Sequence, residues 1–211
     1  MRSLVSIDFE TTGLNFVNDY PVQWAVTKID SVQGKTQFKT LSGYIKTDIE
    51  ISSTVEQLTG LSYEFLNENG VSYDEGMLQC IEAIGLSQEK PTDSIILVGH
   101  NVLNFDIHFL EMAAAKLGYY IPDTKYYWDT AAHYKAQQLG LKKDVNESIR
   151  EYHQRALGTY AKGIKFKLPI VCEHLGIPLT AHHDAVHDAN AALMIAIKQM
   201  SSFPEAKELF E

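Results

Sequence analysis

The stretch "SLVSIDFETTGL", residues 3–14, carries an apolar run at Leu4, Val5 and Ile7, then two acids, Asp8 and Glu10, with only Phe9 between them. The run reads as a buried strand. At i and i+2 on a strand, side chains share one face and sit roughly 7 Å apart along the backbone. Two carboxylates about 4 Å apart repel by about 4 kcal/mol at an effective dielectric near 20, so a pair like this calls for a cation. They come at the C-terminal end of the strand, where α/β sheets place their sites. Hard oxygen ligands without cysteine suit Mg²⁺ or Mn²⁺. A solvent-exposed strand end is the plainer alternative, and D-x-E alone does not choose.

Working outward, "PVQWAVTKID" (21–30) and "TQFKTLSGYIK" (36–46) continue as strands. Turns containing Gly13, Asn18 and Gly34 separate the three, which implies an antiparallel meander. A helix is expected over 74–86, and a short strand, Ile95 to Val98, closes at Gly99. "FDIHFLEMAAAKLG" (105–118) puts Ile107, Leu110, Ala114 and Leu117 on one helical face and stops at Gly118. "YYW" (126–128) reads as a short strand, with Asp129 and Thr130 opening a helix. "LPIVCEHLGIP" (168–178) is a short helix, and a last long one starts near Asp184 with Val186, Ala189, Leu193, Ile197 and Met200 as its stripe. A meander followed by alternating helix and strand predicts one α/β domain over 1–211 with a mixed sheet.

Hydrophobic residues make up 45% and charged residues 21%, an ordinary globular balance. No apolar run reaches the roughly 18 residues of a membrane span. "MRSLVSIDFE" lacks the apolar core of a signal peptide, and Cys80 and Cys172 stand alone, without CxxC pairing. A soluble, cytoplasmic protein with no membrane partner is expected. The net charge is −9, yet Tyr134–Leu168 holds Lys135, Lys142, Lys143, Arg150, Arg155, Lys162, Lys165 and Lys167 against Asp144, Glu147 and Glu151. This basic segment, 134–168, is either a phosphate-binding face, helical or looped, or a solvated stretch with spare lysines.

Two further motifs carry acids. In "GHNVLNFD" (99–106), Asp106 stands where a strand passes into a helix, a position that a plain cap also fills. In "HHDAVHDANAALM" (182–194), His183 falls before the helix and Asp188 on its first turns. His183 and His187, with Asp184 between, also resemble the H-E-x-x-H zinc helix, with Cys172 or His174 as a third ligand. The shorter aspartate suits a general base poorly. An HD-type phosphohydrolase would use the same histidines, but leaves Asp8 and Glu10 idle and needs an all-helical fold.

In this order, D-x-E-T-T-G-L, H-N-…-F-D and H-x4-D resemble the DEDDh family of 3′→5′ exonucleases, the group that includes polymerase proofreading subunits and RNase T. The likeness runs from Ser3 to about Met200, and "LTGLS" (58–62) and "YYWDTAAHY" are similar to lesser family features. One departure stands out: His100 to Asp106 is one residue longer than the commonest H-N-x-x-F-D form. The resemblance implies a ribonuclease H-like fold with a five-stranded mixed sheet, flanked by helices. It implies two divalent ions, Mg²⁺ or Mn²⁺, held by Asp8, Glu10, Asp106 and Asp188, with His183 as general base. It also implies that Thr11, Thr12, Leu14, Leu58, Thr59, Asn101 and Phe105 meet the strand end. The implied reaction releases nucleoside 5′-monophosphates from 3′ ends of single-stranded DNA, with RNA second, and a polymerase is a candidate partner. An inactive nucleic-acid-binding module is the alternative within the same family.

Overall fold

The computed structural model describes residues 2–32 and 35–210, so the turn expected at Gly34 lies outside the described residues. Five strands form one sheet in the order β3-β2-β1-β4-β5: β1 Ser3–Thr11, β2 Pro21–Val32, β3 Lys35–Tyr44, β4 Ile95–Gly99 and β5 Tyr127–Asp129. The pairs β1–β2 and β2–β3 are antiparallel, as the meander predicts, whereas β4 and β5 join parallel to β1. An antiparallel half and a parallel half therefore meet at β1.

Alternation along β1 separates two cores. Val5, Ile7 and Phe9 pack with Met77 and Ile81 of α3 (Tyr73–Ile84) and with Ile107 and Leu110 of α4 (Asp106–Leu117). Leu4 faces the other way, onto Ile96, Val98, Trp128 and, from α8 (Ala185–Ser201), Leu193 and Ala196. Asp8 and Glu10 share the parity of Leu4 and so point to the α8 side of the sheet. Small residues let α8 lie close: Ala25 of β2 packs on Ala185 and Ala189. Among the described residues, no helix is long and apolar enough to cross a membrane.

Five further α-helices complete the described residues. Two short ones, α1 Ser53–Thr59 and α2 Tyr63–Asn69, are not anticipated by periodicity, because seven residues are too few to show it. Their caps were readable: Ser52 and Ser62 each accept an amide of the first turn. Helix α5 (Thr130–Gln138) opens on Asp129, and α7 (Leu168–Leu175) ends at Gly176. Within the basic segment, α6 (Ile149–Gly158) begins with a capping box, Ser148 and Glu151. The all-helical fold that the HD reading requires is ruled out by the sheet.

Candidate active site

Strand register decides where the acids go. Pairing between β1 and β4 ends at Ser6 opposite Val98, so the β4 edge of β1 is open beyond that point. There the amide of Phe9 donates to Asp106 Oδ1 at 3.0 Å, which carries the first residue of α4 to the end of β1. From the opposite face, α8 is anchored over the sheet by the Ala185 amide on Gln23 Oε1, at 3.3 Å, and is capped by Asp184. Its first turn delivers Asp188. One carboxylate oxygen each from Asp8, Glu10 and Asp188 lies within 4.8 Å of the others.

These acids line a cleft of about 350 Å³ together with Asp106, His183, Thr11, Leu14, Leu58, Thr59, Asn101 and Phe105. Thr12 is the exception. Its hydroxyl donates to Asp19 Oδ1 and accepts from the Tyr20 amide, so it pins the 12–20 loop and does not line the cleft. Leu14, at the tip of that pinned loop, is 86% exposed. Sequence reasoning missed Thr54 and Val55 of α1, which line the cleft because α1 itself went unseen.

Burial without a counter-charge shows in the acidities. Burial, then the charges of Asp106, Asp188 and Glu10, hold Asp8 well above the usual carboxylate range. Glu10 is pushed up to about 8 by burial and by Asp188 and Asp106. Burial lifts Asp106 to about 7 against the lowering bond from Phe9, and Asp188 to about 6. Asp188 Oδ1 is buried with no hydrogen-bond partner. An all-oxygen set that is short of positive charge, with one carboxylate oxygen unspent, fits hard divalent cations.

His183 sits just before α8 with φ +65°, in the left-handed region, and its amide donates to Asp188 Oδ2 at 3.2 Å. Its ring stacks on that of His182 at 3.8 Å, and His182 Nδ1 lies 3.1 Å from Asp188 Oδ2. Burial, then the neighbouring His182, lower the His183 pKa, with Asp188 opposing. The zinc helix is not formed. His187 Nδ1 pairs with the Thr180 hydroxyl, His174 Nδ1 with the Tyr134 hydroxyl, and burial raises the Cys172 thiol to about 11. With His183 outside the helix, the i, i+4 geometry that sequence spacing suggested does not exist.

The longer loop between His100 and Asp106 is accommodated by a turn. Asn101 takes φ +66°, and the amides of Asn101 and Leu103 both donate to the Asp129 carboxylate at 3.0 Å. Asp129 therefore does more than cap α5: it holds the loop that carries Asn101, Phe105 and Asp106. Gly99 is required at the start of this loop, since a Cβ there would meet the Val102 Cβ at 2.7 Å.

Fold and acid placement together define a nuclease domain of the ribonuclease H-like class. A family model described as exonuclease matches residues 5–196, and the chain belongs to that family, in its DEDDh 3′→5′ branch. It is similar to the PolC-type DNA polymerase III of Caldanaerobacter subterraneus, 28% identical over 204 residues, and to that of Thermotoga maritima, 29% over 197. The matches cover 95% and 93% of this chain but 12% of each polymerase, so the chain spans about an eighth of those relatives. Among solved structures it is similar to Escherichia coli exonuclease I in complex with a dT13 oligonucleotide. The TM-score there is 0.68 at 18% identity, covering 98% of this chain and 42% of that one. Exonuclease I of Methylocaldum szegediense gives 0.64 at 18%, covering 97% and 41%.

Proposed function

We propose that the domain removes nucleoside 5′-monophosphates one at a time from the 3′ end of single-stranded nucleic acid, with DNA preferred. The observation that carries this reading is the convergence of Asp8, Glu10 and Asp188 within 4.8 Å, beside Asp106 and His183, in one cleft. The dT13 oligonucleotide seen with exonuclease I and the polymerase relatives favour DNA over RNA. A replicative polymerase is the partner that the relatives suggest, and the cytosol is the compartment in which it would be met.

Asp8, Glu10, Asp106 and Asp188 would hold two Mg²⁺ or Mn²⁺ ions between them. A pair of such ions, when bound, clamps the attacking and leaving oxygens of an in-line displacement at phosphorus. Four carboxylates against two divalent charges sum to about zero, which lets an anionic strand approach. His183 accepts the proton of the attacking water. An imidazole with a lowered pKa is neutral at physiological pH and ready for that task.

Leu14, rigidly presented by the pinned loop, wedges against the last base, and Leu58, Thr59 and Phe105 close its pocket. Glu10 and the Thr11 backbone take the terminal 3′-hydroxyl, and Asn101 faces the scissile end. Apolar contact and stacking accept any base, so specificity for sequence is low. The test is a ladder assay with 5′-labelled and 3′-labelled oligonucleotides in Mg²⁺ or Mn²⁺. The reading requires progressive shortening of the 5′-labelled strand, release of labelled mononucleotide from the other, and loss of both in EDTA. An intact oligonucleotide overturns it and leaves the inactive binding module; shortening from the 5′ end overturns it as a nuclease of the opposite polarity.

A further inference from the structure

The basic segment sorts into spent and unspent charges. Lys135 is buried and donates to the Leu157 carbonyl at 2.7 Å, Lys143 pairs with Glu208 at 3.4 Å, and Arg155 with Glu147 at 2.7 Å. Arg150 acts on Asp123 and Tyr127, at the end of β5 away from Asp129. Besides the exposed Lys142, what remains is concentrated in "TYAKGIKFK", residues 159–167, which contains no acid. Lys162, Lys165 and Lys167 are exposed there, and Tyr160, at 89%, offers nearly its whole ring to solvent. Lysines interleaved with an open aromatic ring are the surface that single strands use: phosphates on the amines, a base on the ring.

This stretch is tied to the cleft at two points. His100, itself a lining residue, lies 2.9 Å from the Phe166 carbonyl through Nε2 and 2.9 Å from the Thr130 hydroxyl through Nδ1. The carbonyl can only accept, so Nε2 carries the hydrogen and Nδ1 accepts from Thr130. One residue further on, the Lys167 charge reaches His183 of the cleft and its neighbour His182.

We infer that residues 159–167 are the arm that grips the single strand leading into the cleft. Tyr160 stacks one base, Lys162, Lys165 and Lys167 meet phosphates, and His100 is the positioning residue that latches the arm to the catalytic loop. The inference takes from the proposed function what enters the cleft, but its test is one of binding.

Anisotropy of fluorescein-labelled dT20 in Ca²⁺, with unlabelled dT4 as competitor, separates long-strand grip from end binding. Loss of one base–ring stack corresponds to about 5- to 150-fold, so Tyr160→Ala is expected to weaken dT20 by at least 5-fold. Three phosphate contacts at about 0.7 each predict that K162Q/K165Q/K167Q lowers the salt slope for dT20 by about 2. His100→Gln weakens dT20 more than dT4, and Tyr160→Ala and K162Q/K165Q/K167Q hold dT4 within 2-fold of wild type. Equal effects on dT20 and dT4, or none on either, overturn the arm. If wild type shortens dT20 while the variants bind it as wild type does, the arm falls and the nuclease reading stands. If these residues bind dT20 but wild type never shortens it, the arm stands and the nuclease reading falls.

Discussion

Phe9 and Asp106 are 97 residues apart in sequence, and the amide of one donates to the carboxylate of the other at 3.0 Å. This bond closes the strand edge that β4 leaves open and sets Asp106 beside Asp8. An amide side chain keeps the acceptor and drops the charge. Asp106→Asn is therefore expected to melt, without metal, at or above the wild-type temperature, because it removes a like charge next to Asp8. Its turnover is expected to fall by about 100-fold or more, the usual loss when an electrostatic partner of a transition state goes. Paired melting curves and initial rates check this. A lower melting point with normal turnover would reverse the assignment.

Stability of the metal-free protein is expected to fall as pH rises from about 6.5 to 8. Glu10 at about 8, Asp106 at about 7 and Asp188 at about 6 all titrate above their unfolded values. Above about 6.5 these carboxyls leave the folded chain holding more protons than the unfolded one, so raising the pH favours unfolding; below it the buried His100 and His133, lowered to about 4, act the other way. The contribution is complete below the unfolded carboxylate range and is lost as pH passes through the folded values. Saturating Mn²⁺ replaces the missing positive charge and should flatten the slope. Chemical denaturation at several pH values, with EDTA or Mn²⁺, measures it.

Strain at His183 is separable from its chemistry. At φ +65° an ordinary side chain costs about 1 kcal/mol more than glycine. His183→Gly and His183→Ala should both lose most turnover, yet the glycine variant should melt about 2–4 °C above the alanine one. Equal melting temperatures would mean that the left-handed backbone is not held once the ring is gone.

The acid limb of the rate profile is expected below the ordinary histidine value of about 6.5. Burial and His182 lower the His183 pKa, so the base stays neutral to more acidic pH. His182→Gln removes one lowering influence and should move the limb upward. A limb at or above 6.5 in wild type, unmoved by that change, would take the base assignment away from His183.

Gly99→Ala tests the loop's support. The added Cβ meets Val102 Cβ at 2.7 Å and the Ile7 carbonyl at 3.3 Å, so the loop must shift. Overpacking of this kind costs about 1–3 kcal/mol, and turnover should fall further than stability because Asp106 rides on the displaced loop. Melting and rate measurements on one preparation compare the two losses.

Much of this was written in local sequence. Alternation in "SLVSIDFE" gives both the buried strand and the shared face of Asp8 and Glu10, and the cap at Asp129 marks the start of α5. Other features depend on tertiary pairing. That β1 outlasts β4, freeing the Phe9 amide for Asp106, follows from register between strands some 90 residues apart. Asp129 reads as a cap in sequence, and only the fold shows its two oxygens also holding Asn101 and Leu103. Thr12 sits inside a family motif, and its use by Asp19 depends on how the 12–20 loop closes. The eight cations of the basic segment look alike in sequence, and burial and pairing divide them.

The convergence of Asp8, Glu10, Asp106 and Asp188 on a pair of cations is tested most directly by calorimetric titration of the chain with Mn²⁺ at pH 7 in the presence of a short oligonucleotide. Two Mn²⁺ per chain are expected, with proton release on binding and loss of at least one site in Asp188→Asn. One ion or none, or a stoichiometry and proton count that Asp188→Asn leaves unchanged, would contradict it.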